Sequence, residues 1–277
     1  MTHERYVELN EKCREIRRLV MDMIGDFGVG HIGGSLSIVE ALVTVYYGHM
    51  RIDPKNPKMD GRDRFVLSKG HAGPALYAVL ADMGFFEKEM LYTLNRPNTR
   101  LPSHADMLRT PGVDMTTGSL GQGLSCAVGV AVGSRLKNDG ALVYTILGDG
   151  ESQEGQIWEA ALYAASLKLD NLCAFTDANG LQVDGSLEDI NPVEPLDKKW
   201  EAFGWHTVTV DGHDIRRIDE AVREVKAMSG RPGMVILKTV KGKGIPLVEA
   251  AGVANHNMVF TKERYEAAMS QLKGVEV

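Results

Sequence analysis

Two short segments, Gly148-Asp149-Gly150-Glu151 and Asp177-Ala178-Asn179-Gly180-Leu181, each follow an apolar run, and about thirty residues separate Asp149 from Asn179. A carboxylate, an amide oxygen and a backbone carbonyl such as that of Leu181 are hard oxygen donors. They suit Mg²⁺ or Ca²⁺ and leave coordination positions for water and phosphate oxygens. A helix starting near Gly155 would direct unpaired N–H groups and the positive end of its dipole at the same anion. Taken alone, Gly148-Asp149-Gly150 reads as a strand-to-helix turn with Asp149 as the helix cap. The downstream Asn179 turns the pair into a metal and diphosphate site. Histidine is the side chain best able to give or take a proton near neutral pH. Four of the eight, His31, His71, His104 and His256, stand in or beside glycine-rich or turn-forming segments; singly, each has the character of a surface or capping residue.

Such segments can meet only if strands bring them to one edge. Phe65 to Leu67, Ala141 to Leu147, Leu172 to Thr176, Trp205 to Val210 and Met234 to Val240 are short β-branched and apolar runs. They alternate with helical stretches such as Gly121 to Leu136 and Gly155 to Lys168. This order predicts an α/β fold with a doubly wound, mostly parallel sheet and helices on both faces. Ligands in such sheets bind beyond the carboxyl ends of the strands, where Asp149 and Asn179 fall. At the start, Leu9, Ile16, Leu19, Val20 and Met23 have helical spacing ahead of a glycine-rich turn, Gly25 to Gly34. Ser37 with Glu40 has the form of a capping box opening the next helix. The reading is one domain over residues 1–277, with a C-terminal helix Lys262 to Leu272 and a polar tail ending at Val277.

The 277 residues carry a net charge of −6 with both signs interspersed, so neither nucleic acid nor an anionic membrane is suggested as partner. No apolar run nears the roughly 20 residues of a membrane span, and no signal peptide is visible. Cys13, Cys126 and Cys173 are odd in number and far apart, which fits a reducing cytoplasm better than a disulfide framework. Gly28-Val29-Gly30-His31-Ile32-Gly33 is formally GxGxxG, but it follows a helix instead of a strand, so a dinucleotide site is rejected. Lys241 and Lys243, in a glycine-rich loop, could hold a substrate phosphate, but lysines so placed read rather as a solvated loop. The small residues Ala127, Gly129, Ala131, Gly133 and Ser134 suit contact with a partner subunit or tight internal packing equally well.

The stretch Gly148 to Gly185, GDGESQEGQIWEAALYAASLKLDNLCAFTDANGLQVDG, closely resembles transketolases, and the resemblance covers most of the chain. Gly30-His31-Ile32-Gly33-Gly34 is similar to the family's GHPG, and Asp63 to His71 to its DRFVLSxGH segment. Ser103-His104 precedes Thr110-Pro111-Gly112-Val113, then Thr117 to Gly123; Lys241 to Pro246 precedes Asn255-His256. The resemblance implies a thiamin diphosphate-binding fold of the diphosphate-binding (PP) type, with the metal on Asp149, Asn179 and the Leu181 carbonyl. It places Gly148 and Gly150 at the cofactor and Gly118 and Leu120 against its aminopyrimidine ring. It also puts Glu154 between paired cofactor sites, and His31, His71, His104 and His256 along the channel, with His71 and His256 near the diphosphate. The implied reaction is transfer of a two-carbon ketol group from a ketose or ketose phosphate to an aldose or aldose phosphate.

Three residues depart from the family pattern: Ile32 and Ser119 stand for prolines and Ser103 for glycine, so the substrate pocket is open to change. Transketolases are about twice this long. The pyrimidine-binding and C-terminal domains are missing, and with them the glutamate that activates the cofactor. The resemblance therefore implies a partner chain carrying that half, in a heterotetramer of two copies of each. Other thiamin diphosphate enzymes compete as alternatives. A 2-oxo acid dehydrogenase subunit lacks this histidine set, and a deoxyxylulose phosphate synthase is normally one longer chain. A non-catalytic homologue that binds a partner is the third alternative, opposed by the intact Asp149, Asn179 and histidines.

Overall fold

Seven strands are present in the computed structural model, which describes residues 1–274: β1 (Val29–Gly30), β2 (Arg64–Leu67), β3 (Val143–Gly148), β4 (Leu172–Ala178), β5 (His206–Asp211), β6 (Gly233–Lys238) and β7 (Met258–Val259). Val277, the end of the polar tail, lies outside the described residues. Five strands form a parallel sheet in the order β2-β3-β4-β6-β5. The five expected strands are all there, within two residues of their sequence-derived bounds. The pair β1 and β7 is additional, an antiparallel ribbon joining Val29 to Val259.

Alternating side chains in the sheet serve two cores. In β4, Leu172 and Ala174 face a layer with α5 (Gln122–Lys137) and α6 (Gly155–Ser166), while Cys173 and Phe175 face the opposite one. The second core includes residues of α1 (His3–Phe27), α2 (Ile32–Leu36), α3 (Val39–Thr44), α4 (Gly73–Met83) and the helix Ile215–Ala227. Helices thus cover both faces, as the continuous apolar strands require. Helix α1 starts at Thr2, whose hydroxyl accepts from Arg5 N–H at 3.2 Å, and stops at Gly28, where φ is +92°.

Local expectations were overridden in two places: the turn expected over Gly25 to Gly34 is narrower, with Gly25 inside α1 and Gly33 and Gly34 inside α2, and the cap expected at Ser37 is absent. Ser37 and Glu40 form no capping box: Ser37 donates to Asp177 at 2.6 Å, and Glu40 pairs with Arg17 at 2.5 Å. On α5, Ala127, Ala131 and Ser134 pack inward, whereas an added Cβ at Gly129 or Gly133 would meet nothing within 4 Å. The C-terminal helix runs Lys262–Gly274. All three tryptophans share one cluster on the α6 side. Trp200 lies 5.1 Å from Trp158 and 4.9 Å from Trp205 between ring centroids, and Trp158 donates to the Ser152 carbonyl at 2.8 Å.

Candidate active site

Strands β3 and β4 end side by side with Gly148 opposite Asp177, so the turns that follow them meet. Asp149 is only 3% exposed; its carboxylate accepts N–H bonds from Gly150 at 2.8 Å and Gly180 at 2.6 Å. Asn179 accepts from Leu181 N–H at 3.0 Å and donates to Asp177 at 2.9 Å. The Leu181 carbonyl accepts from Lys241 Nζ at 3.3 Å. Behind them lies Asp177, fully buried and bonded by Lys69, Ser37 and Thr239. Burial works to raise the Asp177 carboxyl, but the Lys69 ammonium together with the Ser37 and Thr239 hydroxyls outweighs it and holds the group below its usual range. Asp149 lacks such a partner: burial first, and the Asp177 charge second, push it up to about 6.

A buried carboxylate crowded by a second one is a position that a divalent cation relieves. Asp149, the Asn179 amide oxygen and the Leu181 carbonyl supply the oxygen chemistry such a cation needs, and that carbonyl has a second lone pair beside Lys241. Among the described residues, no trio of His, Cys, Asp or Glu side chains gathers as a metal cluster. A set with one charged side chain is compatible with that. Glu151 braces the same turn: it is buried and accepts from Ser68 Oγ at 2.6 Å, Gly121 N–H at 2.9 Å and Gly148 N–H at 3.1 Å.

The four histidines come from four separate segments and converge. Ring centroids of His71, His104 and His256 lie 5.7, 5.5 and 5.4 Å from that of His31, and His71 lies 5.0 Å from His256. Burial, followed by the charges of neighbouring histidine and lysine groups, lowers His31 and His256 to about 4. Burial also lowers His104, and with Lys69 it takes His71 well below its usual value. Each of these shifts favours the neutral form of the ring. Gly118, with φ at +142°, brings its backbone against His104; a Cβ there would lie 3.1 Å from the ring.

One cavity of about 340 Å³ joins both ends. It is lined by all twelve residues singled out from sequence: His31, His71, His104, Gly118, Leu120, Gly148, Asp149, Gly150, Glu154, Asn179, Leu181 and His256. Along this segment the lining runs through the 3₁₀ turn Gly150–Gln153 as far as Glu154, the residue before α6.

The family described as "Transketolase, thiamine diphosphate binding domain" matches residues 9–272. This chain belongs to the transketolase family. Among its relatives, a protein of Clostridium sp. (strain MSTE9) named 6-deoxy-6-sulfo-D-fructose transketolase subunit is 53% identical, with 98% of each chain covered. One of the subunits of an apulose-4-phosphate transketolase from Actinobacillus succinogenes is 39% identical over 97% of each chain. A crystal structure of a transketolase mutant from Pichia stipitis superposes with a TM-score of 0.88 at 32% identity, covering 96% of this chain but 40% of that one. The chain thus spans about two fifths of the solved transketolase and nearly the whole of the two subunit relatives.

Within this transketolase-family cavity, sequence reasoning missed Lys69 and Glu151 and misjudged Lys241. Lys241 is not on a solvated loop; it is 4% exposed and lines the cavity, with Nζ 3.3 Å from His256 Nδ1. Burial, and then the charge of Lys69, lower its ammonium to about 8. Lys243 is half-buried, its carbonyl bonded by Arg17 at 2.9 Å. The three departures from the family pattern do not reach the cavity lining: Ile32 is fully buried in the core, Ser103 bonds Asn95 at 2.9 Å, and Ser119 is exposed. The cysteines are free, with Cys13 and Cys173 buried, and no helix among the described residues is long and apolar enough to cross a membrane.

Proposed function

We propose that this chain, as a single domain, is the cofactor-anchoring subunit of a two-chain transketolase. The second chain supplies the pyrimidine-binding half, and the donor is a ketose ending in an anionic group, with 6-deoxy-6-sulfo-D-fructose first in order. The near-complete coverage of a 53% identical subunit with that substrate in its name supports the substrate and the split. The assembly holds two copies of each chain, with exposed Glu154 at the rim facing the neighbouring site. Free cysteines suit a cytoplasmic enzyme.

Asp149, Asn179 and the Leu181 carbonyl would hold Mg²⁺ or Ca²⁺, and Lys241, His71 and His256 would meet the diphosphate. Gly118 and Leu120 offer backbone to the aminopyrimidine. Thiamin diphosphate, when bound, supplies the carbanion chemistry that makes and breaks the bond beside a ketose carbonyl. The protein's own share is proton handling. A neutral imidazole can accept a proton from a sugar hydroxyl or donate one to a developing alkoxide, and His31, His104 and His256, all shifted toward that form, are close together. The observation that carries this reading is the meeting of four histidines and one oxygen-donor set in a single cavity.

The test is reconstitution with the polypeptide encoded beside this one, assaying ketol transfer to an aldose phosphate. The sulfonated ketose is expected to give the higher kcat/KM against fructose 6-phosphate. A preference for the phosphate would overturn the substrate assignment alone. Cofactor binding without transfer from any ketose would overturn the enzyme and leave a binding subunit.

A further inference from the structure

Lys241 is a flexible point charge on a strap, Val240–Gly244, that leaves β6 and passes under the cavity. Its backbone is held by residues outside the strap. Asn255 donates to the Lys241 carbonyl at 3.0 Å, Gly242 N–H donates to the Gly33 carbonyl at 3.0 Å, and Gly244 N–H donates to Glu249 at 2.7 Å. The two remaining anchors belong to one network. Val240 N–H donates to His213 Nε2 at 2.8 Å, so the neutral ring assigned from this bond carries its proton on Nδ1. Nδ1 lies 3.2 Å from Glu40 Oε2; Glu40 Oε1 receives Arg17 Nη2 at 2.5 Å, and Arg17 Nε donates to the Lys243 carbonyl at 2.9 Å.

The path from Lys243 through Arg17, Glu40 and His213 back to Val240 clamps both sides of Lys241. Arg17 and Glu40 are buried, and His213 is nearly so, with 12% of its side chain exposed. Each has its charge or polar atoms taken by another member or by the strap. Buried pairs of this kind add little net stability over apolar packing, and fixing one geometry is their better-attested use. Gly244, with φ at +91°, leaves room for the clamp, since a Cβ there would lie 2.6 Å from Arg17 Nε.

We propose that Arg17, Glu40 and His213 are positioning residues that hold Val240–Gly244 so that the Lys241 ammonium faces the phosphate groups of an anionic ligand. The proposal rests on the reading above that the cavity takes a diphosphate.

Calorimetric titration of inorganic diphosphate with Mg²⁺ into the full chain tests it as a double-mutant cycle of His213→Ala and Lys241→Met. His213→Ala is expected to weaken diphosphate about tenfold, equal to about 1.4 kcal/mol, when Lys241 is present and not at all in the Lys241→Met protein. His213→Gln can accept from Val240 N–H and donate to Glu40, and should recover most of the affinity. If the alanine variant fails to fold, His213→Asn, with shorter reach, takes its place in the cycle. Equal losses with and without Lys241 mean a purely structural role and overturn the proposal, as does no loss in either. If Lys241→Met binds diphosphate as the parent does, Lys241 has no part in the site; if the parent does not bind it, the diphosphate reading itself fails.

Discussion

Asp149→Asn should stabilise the metal-free chain while destroying its response to cofactor. In the folded chain the Asp149 carboxyl is raised from 3.8 to about 6, a penalty of about 3 kcal/mol once the group is ionised in both states. Below pH 3.8 both states hold the proton and there is no penalty. It grows as pH rises through that range and is complete above pH 6, so about half is present at pH 5. Asparagine removes the charge but cannot accept both backbone bonds that Asp149 takes from Gly150 and Gly180, which costs about 1 kcal/mol. The net gain is about 2 kcal/mol at pH 8 and under about 1 kcal/mol at pH 5. Urea unfolding in a chelator at the two pH values reads it directly. With Mg²⁺ and thiamin diphosphate at about 100 times the dissociation constant the parent gains about 2.7 kcal/mol and the variant nothing. A variant less stable than its parent at pH 8, or a gain of one size at both pH values, would refute the electrostatic argument.

Replacing His256 by Ala should lower kcat by roughly 10² to 10⁴, the range for a lost proton-transfer group, with pre-steady-state kinetics showing that the loss lies in chemistry. In the metal-free chain, NMR titration should find His31 and His256 neutral down to about pH 4. Both are lowered below the unfolded value of 6.5, so the stability they contribute is present above pH 6.5 and falls away as pH drops toward 4; midpoints near 6.5 in the folded chain would contradict the burial described. Gly33→Ala would drive a Cβ into the Asn255 side chain, and about 1 to 3 kcal/mol of destabilisation is expected from overpacking; a thermal melt within experimental error of the parent would show that Asn255 yields there.

The strands and the Asp149 and Asn179 turns were legible because apolar runs of this length carry their own punctuation. Asp149 and Asn179 fall immediately after β3 and β4, where the sheet must place them. The histidines were legible only jointly and through family resemblance, since no spacing rule joins His31, His71, His104 and His256. Lys241 was misread because a lysine in a glycine-rich loop looks the same in sequence whether it meets water or a cavity. Its burial is decided by Gly33 and Asn255, far away along the chain. Ser37 and Glu40 show the same limit: their spacing fits a local cap, but Asp177 and Arg17 hold them in tertiary bonds. The β1–β7 ribbon, two residues per strand, is too short to leave any periodicity.

The tryptophan cluster has an optical consequence. Indole rings whose centroids are about 5 Å apart exchange excitation, so Trp158, Trp200 and Trp205 share it and the chain's tryptophan fluorescence comes from a single place. That place is wired to the cavity through Ser152, which accepts from the Trp158 indole and sits between the lining residues Glu151 and Gln153. Any ligand that shifts the 3₁₀ turn is reported without an added label, and light absorbed anywhere in the cluster reads the same few ångströms of backbone.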